Sequence, residues 1–420
     1  MDVPDTIQLM GEKQWEEIKS RLTGKFNKMM KGLFRQKGAQ LDINILASDE
    51  AQEFITTHAD VLDAGFQKVE MSDKMRERLT RSNYIFSGIK TFHELNEAFP
   101  SMLDENGNKK PFERFLNDVQ KINDTYNANY LHAEYNFVQA SATMAAKWEQ
   151  FSEDGDRYYL QYRTAKDDKV RPEHAALDGV TLPMSDSFWE TYYPPNGWNC
   201  RCTVVQVRKQ KYPATEHAEA MSRGEEAMNG ERYNIFRFNS GKQGKTMPDY
   251  NPYTIKRCND CDVAKGGNTK LGFVPDYQLC QGCIMIRKCS EDRNKDNSAK
   301  ATKKSPEVKK LQGTTISNPD FNHEVLVTGG SIREWTNQPH KEYAAKNSIL
   351  KHIAKVFREA KYIGFIDNFK MKPGVKQSHL FETNVLGELS WIIVREYEIG
   401  EFVLHSISDS DKIKTGIRKE

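Results

Sequence analysis

From Phe112 to Trp148 the chain runs without a single Gly or Pro. Apolar and aromatic side chains recur there at helical spacing: Phe112, Phe115, Leu116, Val119, Ile122, then Tyr126, Tyr130, Leu131, Tyr135, Val138, Met144 and Trp148. Residues three and four apart share one face of a helix. The stripe therefore predicts one long helix with its aromatic face in a core. Asn106-Gly107 marks the turn before it. An earlier run, Trp15, Ile18, Leu22 and Phe26, has the same period, and residues 1–150 are expected to be helical.

A chain of 420 residues exceeds what one core usually holds and predicts two to four domains. After residue 150 the period changes. RYYLQYRT and CTVVQVRK alternate as strands do, and a loop punctuated by Pro and Gly joins them, so residues 151–250 are expected to form an α+β part with an irregular extension. Residues 251–290 hold paired cysteines. Residues 291–312 are charged and poor in large apolar side chains, the composition of a linker. From 313 to 420 a helical stretch, KEYAAKNSILKHIAKVFREA, precedes the strand-like YIGFID, SHLFETNVL, SWIIVREYE and EFVLHSIS. The expected fold class is thus multidomain: a helical N-terminal half leading into an α+β module, a small zinc-ribbon-like insert, and a compact α+β C-terminal domain.

Lys and Arg number 61 against 59 Asp and Glu, a net charge of +2, so the chain as a whole is no electrostatic binder of nucleic acid. Residues 301–420 carry 19 Lys and Arg against 15 Asp and Glu, which is compatible with RNA contact without arguing for it. Mean hydropathy is -0.75. No stretch approaches the roughly 20 apolar residues of a bilayer span, and the polar start MDVPDTIQLMGEKQWEE has no secretory pattern. Synthesis and residence in a bacterial cytoplasm are expected.

All seven cysteines fall at or after position 200. Cys258-x-x-Cys261 and Cys280-x-x-Cys283 are separated by 18 residues. Each knuckle brings two thiolates into one tight turn, and two knuckles complete a closed, structural Zn²⁺ site. His174, Cys200 and Cys202 form a second, less favoured zinc set, because a Cys-x-Cys in a strand turns both sulfurs to one face. The alternative there is a buried histidine beside two packed thiols. Cys289 is left over.

The ordered residues Arg163-Thr164, Val170-Arg171-Pro172-x-His174, Leu177-Asp178-Gly179, Pro183, Phe188-Trp189 and Pro194-Pro195-Asn196-Gly197-Trp198-Asn199-Cys200-Arg201-Cys202 resemble the Mu-F-like phage head-morphogenesis family of minor head proteins. Upstream, Ser87-Gly88-x-Lys90-Thr91, Gly107 with Pro111-Phe112, and Tyr130-Leu131-x-x-Glu134-Tyr135 extend the likeness. The resemblance implies a phage or prophage protein that meets portal and capsid proteins, resides in the particle, and has a variable C-terminal domain. It implies no catalytic residue in this part.

The order Gln338-Pro339-His340, Asn347, Tyr362-Ile363-Gly364, Ser378-His379-x-Phe381-Glu382, Trp391-Ile392-Ile393-Val394-Arg395-Glu396 and Leu404-His405-Ser406-Ile407-Ser408-Asp409 resembles the phage-associated barnase/EndoU/colicin/RelE-like nucleases. That resemblance implies a metal-independent ribonuclease toxin, RNA as substrate, an immunity protein as partner, and delivery into a recipient cell. Attack by the ribose 2′-OH needs a base, an acid and cations on the phosphate. The candidates are His379 as acid or base, His340 or His405 as its complement, Arg395 on the phosphate, and Ser406 and Ser408 as donors. Ideal strand alternation puts His379 and Glu382 on opposite faces. The rival expectation is a purely structural minor head protein whose last domain docks portal, scaffold or DNA.

Overall fold

Serine caps set the entry of the first helices. Ser48 accepts the Ala51 N–H and Ser72 the Met75 N–H, satisfying backbone donors that helices leave open. The computed structural model describes residues 12–38, 40–248, 251–253, 281–368, 372–385 and 387–418. Its helical part comprises α1 (Glu12–Phe34), α2 (Asp49–Ala64), α3 (Asp73–Ala98), α4 (Phe112–Asn123) and α5 (Leu131–Asp154). The Gly- and Pro-free run is helical throughout, yet it is not one regular helix. A π-helical turn, Asp124–Asn129, joins α4 to α5. Thr125 donates its hydroxyl to the Lys121 carbonyl at 2.7 Å, and Tyr130 N–H reaches back five residues to Thr125. Side chains of the NDTYNAN stretch compete with the regular ladder, which apolar spacing alone does not reveal.

The α+β part adds a small antiparallel sheet in the order β2-β1-β3, from β1 (Tyr159–Arg163), β2 (Thr181–Pro183) and β3 (Thr203–Val207). It shares one core with the helices rather than forming its own. Trp148 of α5 meets Tyr193 edge-on at 5.0 Å, and Phe137 contacts Trp198 and Phe236 at 5.2 and 5.4 Å. Trp189 is fully buried and donates its indole N–H to the Pro183 carbonyl, whereas Trp198 is only partly buried.

The chain divides into two compact units, Met1–Ser290 and Glu291–Glu420. In the second, a six-stranded sheet runs β4-β5-β9-β8-β7-β6, with β4 (Thr315–Asn318), β5 (Phe321–Leu326), β6 (Lys361–Asp367), β7 (Val375–Val385), β8 (Glu388–Tyr397) and β9 (Phe402–Ser408). Among the described strands only the β5–β9 pairing is parallel, so the sheet is mixed. The helix Ile353–Glu359 packs on the sheet, and buried Asn318 of β4 ties it down by donating to the Phe357 and Ala360 carbonyls at 2.6 and 2.7 Å. This unit has its own core around Trp335, Phe357, Phe381, Ile392 and Leu404.

The stretch expected to be a charged linker is helical, in Gln281–Lys304 and Pro306–Lys310. Ala299, Thr302, Ser305 and Val308 are buried at three-residue spacing, and Val308 belongs to the second unit's core. Small residues on one face hide this burial from a composition-based reading.

A polar network lies inside the helical part. Lys90 is buried and donates to Glu134 Oε2 at 2.7 Å, to the Tyr126 carbonyl at 2.6 Å and to His58 Nε2 at 3.0 Å. Ser87 gives its proton to the Asn83 carbonyl, so His58 Nδ1–H donates to Ser87 and Nε2 is left to accept from Lys90. The Tyr253 hydroxyl closes on the other oxygen of Glu134. Lys90 and Glu134 come from the upstream fragments quoted for the family likeness.

Burial pushes the Glu94 carboxyl up to about 8, with Lys90 opposing and Glu134 adding. Burial, then Lys90, pushes His58 down to about 4. Burial would raise Glu134, but Lys90 and His58 outweigh it and hold the carboxyl at about 2. A raised folded value gives stability that is present at low pH and lost on going up, from the ordinary 4.5 of Glu94 to about 8. A lowered one gives stability lost on going down, from 6.5 to about 4 for His58 and from 4.5 to about 2 for Glu134. Between pH 4.5 and 6.5 the His58 and Glu94 slopes cancel; above 6.5 Glu94 is the member of this network whose slope remains. The Glu94 contribution to the first unit's stability is therefore expected to fall by up to about 2 kcal/mol between pH 6.5 and 8, read as the difference between the wild type and Glu94→Gln. Urea titrations of the full chain at the two pH values read it, and equal slopes in both proteins would contradict the assignment.

Candidate functional site

On β7, Gln377, His379 and Phe381 share one face, Phe381 anchors that face in the core, and Leu380 between them is buried on the other. His379 is registered with Phe365 of β6 and Val394 of β8. Two residues beyond Val394, on the same face, stands Glu396. His379 Nε2 meets Glu396 Oε2 at 3.1 Å, and its Nδ1 meets the Tyr362 hydroxyl at 2.9 Å. Gln377 donates to Glu396 Oε2 and Lys376 to Oε1, each at 2.6 Å. Phe321 packs on the imidazole at 4.8 Å, and His323 stacks on Phe402 at 4.1 Å. His379 is buried, and so is most of Glu396. Burial raises the Glu396 carboxyl, but hydrogen bonds from Lys376, His379 and Gln377 outweigh it and hold it below the usual range. The arrangement pairs an ionised carboxylate with an imidazole that has a donor or acceptor on each nitrogen. Such a pair can take a proton at one atom and return it at another.

The other expected residues do not join this site. Arg395 pairs with Ser378 and Val403, which turns it to the opposite face. His405 feels Arg395: burial first, then Arg395 and Lys372, push its imidazole down to about 4. His340 belongs to a separate group, with Nδ1 accepting from the Glu342 N–H and Nε2 on Ser390 Oγ, both at 2.9 Å. Ser390 lies six residues along β8 from Glu396, about 20 Å away. Ser406 is buried opposite Ile393, and Ser408 accepts the Ser410 N–H at 3.2 Å. Glu382 registers with Lys361 and Trp391, on the face opposite His379. Glu396 was not among the expected site residues. Its signal was its place next to Arg395, where one step along a strand decides the face.

In the first unit His174, Cys200 and Cys202 converge. His174 stands in the short helix Pro172–Ala175, and both cysteines lie just before β3 rather than within a strand. His174 Nδ1 is 3.6 Å from Cys200 Sγ and 3.8 Å from Cys202 Sγ. A hydrogen bond from Cys202 holds the Cys200 thiol well below its ordinary range, and the same contact, with burial, pushes Cys202 up. Of the expected zinc quartet, Cys258, Cys261 and Cys280 lie outside the described residues, and Cys283 is buried in the first unit's core. No helix among the described residues is long and apolar enough to cross a membrane.

Residues 105–205 match the family described as Phage Mu protein F like protein, and residues 293–404 match large polyvalent protein-associated domain 3. The chain is 32% identical over 179 residues to the putative capsid assembly protein F of Escherichia phage Mu, covering 41% of this chain and 38% of that one. It is 33% identical over 102 residues to the Mu-like prophage FluMu F protein of Haemophilus influenzae, covering 24% and 22%. The chain thus spans well under half the length of these relatives. No solved structure matches it. Residues 105–205 are thus similar to Mu F-like phage proteins, and residues 293–404 are similar to large polyvalent protein-associated domain 3.

Proposed function

We propose that the protein serves phage head assembly through its first unit and cleaves RNA through its second. The head role rests on the likeness to the capsid assembly protein of phage Mu and implies portal and capsid proteins as partners. Induction of a prophage lacking this gene is expected to give no infective particles; a normal yield would refute the head role.

The observation that carries the nuclease reading is the convergence of His379, Glu396 and Tyr362 on one sheet face. Glu396 takes the proton of a ribose 2′-OH as that oxygen attacks the neighbouring phosphorus. The bond from phosphorus to the 5′-oxygen breaks, and His379, entering the step as an imidazolium, protonates the departing oxygen and regains a proton from Glu396 across their 3.1 Å contact. Tyr362 orients the imidazole, and Lys376 offers charge to the phosphate. RNA, an immunity protein and delivery into a recipient cell belong to this reading. The full chain is expected to cut RNA in EDTA and to leave 2′,3′-cyclic phosphate and 5′-hydroxyl ends. Intact RNA across single-stranded and structured substrates would refute it and leave the domain as a docking module.

A further inference from the structure

The geometry points to a zinc site in the Mu F-like part, held by His174, Cys200 and Cys202. Three observations carry it. The first is distance. A tetrahedral zinc with bonds of about 2.3 Å to sulfur and 2.05 Å to nitrogen sets those donors about 3.6 Å apart. The two sulfur–nitrogen distances are 3.6 and 3.8 Å, and all three donor atoms lie within 4.8 Å of one another. A single ring nitrogen thus faces two sulfurs at once, whereas one proton on Nδ1 serves only one of them. An ion between the three satisfies all.

The second is burial. All three residues are buried in the first unit's interior. Two thiolates and a neutral imidazole cancel the charge of a divalent ion, so the loaded site is neutral, the form that an apolar interior tolerates. Sulfur and imidazole donors favour zinc over magnesium or calcium, which take oxygen.

The third is placement. His174 and Cys200 are 26 residues apart and bracket the Pro- and Gly-rich loop. Backbone approaches closely there: a Cβ on Gly197 would come within 3.6 Å of the His174 ring and 3.0 Å of Arg171. Buried Tyr162 of β1 gives its hydroxyl to Asn196 at 2.8 Å, fixing the loop on the sheet beside the sulfurs. The ion would pin the loop to the start of β3. The protein supplies three donors.

Zinc is measured per chain by mass spectrometry on the full-length protein and on His174→Ala, Cys200→Ser and Cys202→Ser. Each variant is expected to lose one equivalent relative to the wild type, whatever the four cysteines at 258–283 hold. His174→Cys, which keeps a ligand, is expected to retain that equivalent. A second measurement uses only the wild type. Alkylation of Cys200 and Cys202, mapped by peptide mass, is expected to rise at least tenfold when a chelator strips the metal. Unchanged zinc content in the three variants, or alkylation indifferent to the chelator, would overturn the assignment.

Discussion

Replacing Lys90 by Met is expected to lower the unfolding free energy of the first unit by about 3–5 kcal/mol, because it leaves the Glu134 carboxylate buried without its cation. Desolvating a charge costs far more than an exposed ion pair returns, so a buried pair is most visible when only one partner is removed. The loss has further parts. The Tyr126 carbonyl, left available by the π-helical turn, loses its donor, and so does His58 Nε2. For a domain of this size each kcal/mol moves the midpoint by about 2–4 °C, so a drop of roughly 10 °C should appear in calorimetry. Lys90→Met with Glu134→Leu should recover part of it, since no unpaired charge then remains at that position. A single variant that melts within 2 °C of the wild type would show that the pair does not hold the bundle together.

His379→Ala should reduce RNA cleavage by the full chain by about 10²–10⁴-fold, the usual contribution of a positioned proton-transfer group. Glu396→Gln, which keeps shape and removes the base, should act on the same scale. Arg395→Ala should leave the rate within a few-fold, because Arg395 projects from the other face of the sheet. This last variant separates the site from the plainer expectation that any basic residue in the unit helps to hold RNA. Circular dichroism on each variant controls for folding. Cleavage undiminished in His379→Ala would remove the imidazole from the chemistry. A large loss in Arg395→Ala with none in Glu396→Gln would move the site to the opposite face.

Much of the architecture was legible in the residues alone. Helical periodicity is a local property, and the stripes at Trp15–Phe26 and Phe112–Trp148 fall on α1 and on α4 and α5. Strand-like alternation placed β1, β3 and the four strands from β6 to β9. The ordered motif from Arg163 to Cys202 lies within the matched family segment. His174, Cys200 and Cys202 stood in the sequence as a less favoured metal set, and the fold brings their donor atoms together.

What sequence could not supply was partnership across the core. Lys90 and Glu134 stand in two separate fragments of the sequence; the packing of α3 against α5 makes them a buried pair 44 residues apart. The helical stretch of 291–310 read as linker because most of its buried face is Ala, Thr and Ser instead of large apolar residues. The choice of Glu396 over Arg395 rests on a single step of register in β8. Local pattern determines which residues share a face; only the assembled sheet and bundle decide what that face meets, because the contacts that shift a proton's affinity come from strands and helices distant in the chain.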